Sequence, residues 1–375
     1  MMNVALELQP CCGNRSGIGM YTYELAKRMR SGNGLEFMGN VFNFRGRNDN
    51  AEALLEIEMP IRVQKSMPYG VYRRIWHMVP LSYNVLFPAA ELNVFFNFIV
   101  PPRVKGKVVT VIYDMTYLRF PETMNESNFR RIRRDIGYSV ARSDRIVTIS
   151  EFSKKEIHEL LQVPKEKIEV VYSAPSITTG VTDFRLVQER LKIQKPYLLY
   201  VGTIEPRKNL TRLIQAFDWL KKEKQIPHQL ILAGGGGWKT EEIHQTAEAA
   251  QFAGEIRFTG YLSSEEKNAL YQNADAMVFP SLYEGFGMPP LEAMLFECPV
   301  ICSDAASLPE IVGDAAELVD PLDVQAIADG IWRVLSNKDY RASLIEKGAQ
   351  QALRFSWDRS AEKMIQIYKE TLGGI

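Results

Sequence analysis

The sequence predicts an α/β protein built as two doubly wound parallel sheets, and three observations carry that expectation. Short β-branched runs alternate with amphipathic stretches almost throughout, the signature of β-α-β units around a parallel sheet. The 375 residues exceed what one hydrophobic core organises, while 46% apolar and 10% aromatic residues suffice for two. One stretch, SAPSITTGVTDFRLVQERLKIQK at residues 173–195, breaks the alternation with Pro, Ser, Thr and Gly before a new strand starts at Tyr197.

In chain order, NVALEL, LEFMGNVFNF, VVTVIY and RIVTIS read as strands of the first half, and YLLYVG, HQLILAG, IRFTG, AMVFPS and PVICS as strands of the second. Leu210, Leu213, Ile214, Phe217 and Leu220 recur at helical spacing and form one buried helix face. After Asp323 the chain reads as helical to its end, with Trp332, Leu335, Leu344, Trp357, Met364 and Tyr368 among its apolar anchors. The expected domains are residues 1–180 and 190–355, followed by a helical segment at 356–375.

Composition excludes several function classes. Lys+Arg and Asp+Glu balance at 45 each, so no overall field draws the chain onto nucleic acid. The apolar run from Val94 to Val100 is interrupted by Asn97 and closed by Pro101-Pro102, well short of the roughly 20 residues of a membrane span. MMNVALEL has no basic n-region and reads as a first strand rather than a signal peptide, so a cytoplasmic location is expected. Cys11, Cys12, Cys298 and Cys302 lack zinc-site spacing and fit reduced, buried thiols; no metal site is expected.

Ligands of such sheets sit at the carboxyl ends of strands, beside helix amino termini, so the loops after strands hold the candidate chemistry. In CCGNRSGIGMYTYELAKRM a helix begins near Gly17, and Gly17 and Gly19 either let backbone amides approach a phosphate or let the helix pack tightly on the sheet. The third glycine and the acid of a dinucleotide fingerprint are missing, which disfavours a nicotinamide cofactor. In VGTIEPRKNL, Arg207 and Lys208 project near a helix start, where positive charge opposes the helix dipole. A bound diphosphate would compensate them; two solvated surface cations are the other reading. LAGGGGWKTEEI is a close-approach turn or a plain connector. In SLYEGFGMPPLEAM, Glu284 lies in the loop and Glu292 in the expected first turn of the following helix, where the dipole favours an acid whatever the function.

With these motifs the chain resembles the retaining glycosyltransferases of the GT-B fold, family 4, over essentially its whole length, and bacterial mannosyl- and related transferases of polysaccharide assembly in its EPRKNL motif. The resemblance implies two Rossmann-like domains facing across a cleft, with the last helix crossing back to the first domain. It implies that Glu292 holds the ribose of a nucleotide-sugar and that Arg207 and Lys208 hold its diphosphate. Gly17, Gly19 and Gly202 would line the donor site, Glu284 and the amides of Gly285, Phe286 and Gly287 would meet the sugar, and Tyr261 and Leu262 the base. Many relatives carry His-Asp where this chain has Tyr113-Asp114; Asp114 remains a candidate acceptor contact, but no histidine role carries over.

The implied reaction moves a hexose, GDP-mannose being the first donor to consider, onto a glycan or lipid-linked oligosaccharide with retention, without metal or cofactor. Arg207, Lys208 and the loop amides would supply the positive charge that the leaving diphosphate needs. The Arg-aromatic mixtures MPYGVYRRIWHMVPLSYNVLF and NESNFRRIRRDIGY suit peripheral contact with the inner membrane face, or solvated helix faces. Rival expectations are a phosphorylase, a nucleotide-sugar epimerase and a non-catalytic sugar-nucleotide-binding subunit.

Overall fold

The computed structural model describes residues 1–12, 17–32, 34–44, 52–79, 81–176 and 183–374. Part of the first glycine loop (residues 13–16) and part of the 173–195 stretch (residues 177–182) therefore lie outside the described residues. The chain divides into two units: Met1–Met115, Glu126–Ser173 and Ser356–Ile375 form the first, Thr116–Asn125 and Ala174–Phe355 the second.

The first unit is a parallel sheet of seven described strands: β1 (Met2–Glu7), β2 (Leu35–Phe42), β3 (Ile61–Gln64), β4 (Leu92–Phe95), β5 (Lys107–Val111), β6 (Arg145–Thr148) and β7 (Ile168–Val170). They lie in the order β3-β2-β1-β4-β5-β6-β7, with Val4 beside Phe37 on one side and Leu92 on the other. The chain winds outward from β1 to β3, returns, and winds the other way from β4. The point of reversal, between β1 and β4, is where a doubly wound sheet opens a crevice at its carboxyl edge.

The second unit repeats the plan with six described strands: β8 (Tyr197–Val201), β9 (Gln229–Ala233), β10 (Ile256–Gly260), β11 (Ala276–Phe279), β12 (Val300–Ser303) and β13 (Glu317–Val319). Their order is β10-β9-β8-β11-β12-β13, so the reversal falls between β8 and β11. β8, β9, β11 and β12 are buried along their whole length, as strands covered by helices on both faces must be.

Four strands escape the sequence pattern for physical reasons. β7 and β13 have three residues each, too few to show a period. β3 is a half-exposed edge strand, and β4 is a short segment inside a longer apolar run. The helix Trp357–Thr371 belongs to the first unit: Ser360 Oγ donates to Tyr172 O at 2.7 Å, and the Trp357 ring stands edge-on to Tyr21 at 5.7 Å. In exchange, Thr116–Asn125 belongs to the second unit, where the Trp238 indole N–H donates to Thr123 O and Phe120 packs on Tyr283. No described helix is long and apolar enough to cross a membrane.

Candidate active site

The loops that follow β8 and β11, on the two sides of the second reversal point, bring three of the expected site residues together. After β8 the backbone turns through Gly202, at φ +154°, where a Cβ would stand 2.6 Å from the Tyr200 hydroxyl. Pro206–Lys208 then form one 3-10 turn, Asn209 adopts the left-handed conformation, and the α-helix starts only at Leu210. Arg207 and Lys208 thus precede the helix rather than opening it. Asn209 secures the break, its Nδ2 donating to Pro280 O at 3.0 Å and Pro321 O at 2.6 Å.

The anion that these cations require is already in the protein. Lys208 Nζ donates to Glu284 Oε1 at 2.5 Å, Arg207 Nη1 lies 3.0 Å from Glu284 Oε2, and Arg207 Nη2 lies 2.8 Å from Glu205 Oε1. Arg207 also donates to Tyr283 O, while its own carbonyl accepts from Leu282 N–H, so the two loops are stitched through backbone as well as charge. Two carboxylates, Glu205 and Glu284, thus face the two cations within the protein itself.

Burial disfavours each charge here while strengthening the attraction between opposite ones. Glu284 is 8% exposed and Lys208 9%. Burial alone would raise the Glu284 pKa, but Arg207 and Lys208 outweigh it and hold the carboxyl at about 2. Burial, with Arg207 beside it, lowers the Lys208 pKa against the pull of Glu284. Lys208 also sits 5.2 Å from the centre of the Phe279 ring.

Residues 284–287 are held from behind by Ser307, whose hydroxyl donates to Glu284 O at 2.9 Å and is 3.0 Å from Phe286 O. Phe286 is buried edge-on to Phe355 at 5.4 Å. Gly287, at φ +107°, begins the helix Met288–Leu295; a Cβ there would meet Leu308 Cδ2 at 2.5 Å. Gly285 lies in the same loop.

Glu292 is the fifth residue of that helix, not in its first turn, so the helix dipole no longer accounts for it. It is 8% exposed, and its Oε2 accepts from Lys267 Nζ at 2.8 Å and Tyr271 hydroxyl at 3.0 Å. Lys267 and Tyr271 stand one turn apart on the helix Ser264–Asn273. Neither was legible beforehand, because nothing in the local sequence singles out one surface lysine among many. Glu205 had a signal, standing directly before Pro206 in the basic motif.

The remaining expected residues fall elsewhere. Tyr261, 77% exposed, and the half-buried Leu262 follow β10. The glycine run is structural: Gly234 N–H donates to Gly260 O at 3.2 Å, and Ile204 N–H to Gly235 O at 3.0 Å, which extends the sheet beyond β8, β9 and β10. In the first unit, Gly17 opens the helix Gly17–Arg28, exposed, and Gly19 is buried one position on from Ile18. Asp114 is half-buried beyond β5, beside the buried Tyr113, whose ring packs edge-on to Tyr21 at 5.4 Å and on Phe98 at 5.7 Å.

Two doubly wound sheets, the second with a cluster of paired charges at its reversal point, define a class of α/β proteins whose ligands sit at the carboxyl edges of the strands. Comparison with known proteins makes the class specific. The model of the glycosyl transferases group 1 family matches residues 183–351. O-antigen chain mannosyltransferase B of Escherichia coli is 30% identical over 98% of this chain and 100% of its own length. The serotype-specific mannosyltransferase WbdA of Escherichia coli is 29% identical over 78% of this chain and 35% of its own. The crystal structure of Anabaena HepE in complex with UDP and glucose matches with a TM-score of 0.75 at 19% identity, covering 99% of this chain and 100% of that one. The chain belongs to the group 1 glycosyltransferases, and its two sheet units are those of the GT-B fold.

Proposed function

We propose that this glycosyltransferase moves a mannosyl residue from GDP-mannose to a growing polysaccharide, with retention of configuration and without a metal or cofactor. The observation that carries the reading is the Arg207–Lys208–Glu284 cluster, a half-buried and a buried cation closed on one buried acid where the loops after β8 and β11 meet. The similarity to an O-antigen chain mannosyltransferase supports mannose as the sugar and polysaccharide as the product class.

In this reading the diphosphate of the donor takes up hydrogen bonds from Arg207 and Lys208, and those same cations neutralise the charge that builds on it as the glycosidic bond breaks. Glu284 stays ionised and stabilises the oxocarbenium character of the anomeric carbon from close by. Glu292, braced by Lys267 and Tyr271 through one oxygen, offers the other to the ribose hydroxyls. The acceptor hydroxyl oxygen then bonds to the anomeric carbon on the face from which the diphosphate leaves, the sugar–phosphate bond breaks, and the hydroxyl proton passes to the departing phosphate oxygen. An acceptor on a lipid carrier is supported by the first unit, which exposes Val71, Met78, Val79 and Val85 along the stretch that holds Arg73 and Arg74.

The test is transfer itself. The protein is incubated with GDP-mannose, UDP-glucose, UDP-N-acetylglucosamine and dTDP-rhamnose and a panel of glycan acceptors, and the anomeric configuration of any product is read by NMR. An α-linked mannoside from GDP-mannose in the presence of a chelator is the expected result. Phosphorolysis, epimerisation of the donor, or nucleotide binding without turnover would each replace the proposal with the corresponding rival. Sedimentation with anionic vesicles tests the membrane contact separately, and a protein that stays in the supernatant removes it.

A further inference from the structure

Thr116–Asn125 follows β5 and precedes the helix Glu126–Arg142, both in the first unit, yet the segment itself packs in the second. What it touches there is specific. The loop after β8 lies between the loops after β9 and β11, as those strands do in the sheet. It is bonded to both. Ile204 N–H donates to Gly235 O and Gly237 N–H to Ile204 O, each at 3.0 Å, while Leu282 N–H donates to Arg207 O at 2.9 Å and Arg207 to Tyr283 O. The segment then fastens the two outer loops to each other. Beyond β9, the Trp238 indole N–H donates to Thr123 O and Lys239 Nζ to Glu122 O. Beyond β11, the buried Tyr283 carries the Phe120 ring, with centroids 5.6 Å apart.

Dimensions and stiffness suit that bridge. β9 and β11 stand two strand spacings apart, about 9–10 Å. From Phe120 to Thr123 the chain rises about 6 Å as a 3-10 turn, and the Phe120 ring supplies the rest. Pro121 fixes the entry of the turn, and Phe120 O accepts both the Thr123 N–H at 3.0 Å and the Thr123 hydroxyl at 2.7 Å. Residues 234–237 are all glycine, so the loop after β9 has no side chain to hold it before Trp238. A plain connector between a strand and a helix needs none of these fastenings.

We propose that Thr116–Asn125 is a strap that positions Arg207, with Phe120 and Trp238 as its two fasteners. Phe120 fixes Tyr283, whose carbonyl accepts from the Arg207 guanidinium, and the Arg207 carbonyl accepts from the neighbouring Leu282 N–H. The guanidinium is therefore held where the strap sets the loop after β11. Trp238 anchors the other end on the loop after β9. Loosening the strap misplaces Arg207 without removing its charge, and a misplaced group costs rate more than ground-state affinity. Only the effect on rate rests on the transfer reading above.

Amide hydrogen exchange on the full chain without ligand tests the strap in Trp238→Phe, which deletes one N–H, in Phe120→Ala, and in Phe120→Tyr, which keeps the ring. The amides of Ile204 and Leu282, bonded across the loops, exchange severalfold faster in Trp238→Phe and tenfold or more in Phe120→Ala, and at the wild-type rate in Phe120→Tyr. Those of Leu198 and Leu199 inside β8 keep their wild-type rates, which separates a loosened strap from a destabilised fold. With GDP-mannose, kcat falls tenfold or more in Phe120→Ala while the donor KM stays within threefold, and Phe120→Tyr restores it. The proposal is overturned if the Ile204 and Leu282 amides keep their rates in both strap variants, if the β8 amides accelerate equally with them, or if kcat in Phe120→Ala matches the wild type. A wild type that turns over no nucleotide-sugar, while the variants loosen these amides, removes the transfer reading and leaves the strap. Transfer by the wild type with unchanged amides in the variants removes the strap and leaves the transfer reading.

Discussion

At the scale of single residues, the two acids of SLYEGFGMPPLEAM have exchanged their apparent roles. Glu284, a loop acid with no helix to explain it, has a structural partner in Lys208 and another in Arg207. Glu292, which a helix start would have explained, sits a turn deeper and relies on Lys267 and Tyr271. Glu284→Gln leaves the buried Lys208 and the half-buried Arg207 short of an anion and is expected to destabilise the protein by roughly 3 kcal/mol in denaturant titration. The same change removes an anion from the proposed diphosphate site, so calorimetry should show inorganic pyrophosphate binding the variant more tightly than the wild type while turnover falls. Weaker pyrophosphate binding would mean that Glu284 does not compete for the cations. Glu292→Gln is expected to weaken nucleotide binding by about 1.5–3 kcal/mol, the worth of a charge-assisted hydrogen bond. Unchanged affinity would assign Glu292 to bracing the helix that carries Lys267.

At the scale of elements, the glycines after β8 and β9 act as a joint. A Cβ on Gly234 would stand 1.9 Å from Gly202 O, at a φ of +152° that side chains rarely adopt, whereas a Cβ on Gly235 meets nothing within 4 Å. Gly234→Ala is therefore expected to cost about 1–3 kcal/mol through strain and a displaced loop after β8, and Gly235→Ala less than about 0.5 kcal/mol. Thermal unfolding of the two variants side by side checks this; equal effects would mean that the loop adapts freely. Because residues 203–208 follow this joint, Gly234→Ala should also lower turnover.

At the scale of the whole molecule, the two units carry buried acids of opposite pH sense. Burial raises Glu7 from 4.5 to about 8, with the Gln9 backbone amide and Arg131 pulling the other way and Tyr69, Tyr83, Tyr113 and Cys12 feeling its charge. The folded chain then holds a proton that the unfolded chain releases, so stability falls as pH rises between about 4.5 and 8. Glu284 is depressed from 4.5 to about 2, so its contribution is complete above 4.5 and is lost as pH falls from there to about 2. Guanidinium titrations across this range should show the upper slope vanish in Glu7→Gln and the lower one in Glu284→Gln; a slope that persists assigns the effect to other groups.

The sequence by itself determined the class of fold, the place where the second sheet begins, and the loops that carry the charged motifs. Alternation of apolar runs and the residue types that interrupt it are local properties, and local properties can be read along a chain. Arg207, Lys208 and Glu284 were visible as motif residues for the same reason. Only the tertiary structure decided that they neutralise one another across 76 residues of sequence, that Lys267 and Tyr271 reach Glu292, and that Trp357–Thr371 packs in the first unit. Sequence shows which polar groups exist, but whether each finds a partner depends on which distant elements the fold sets beside it.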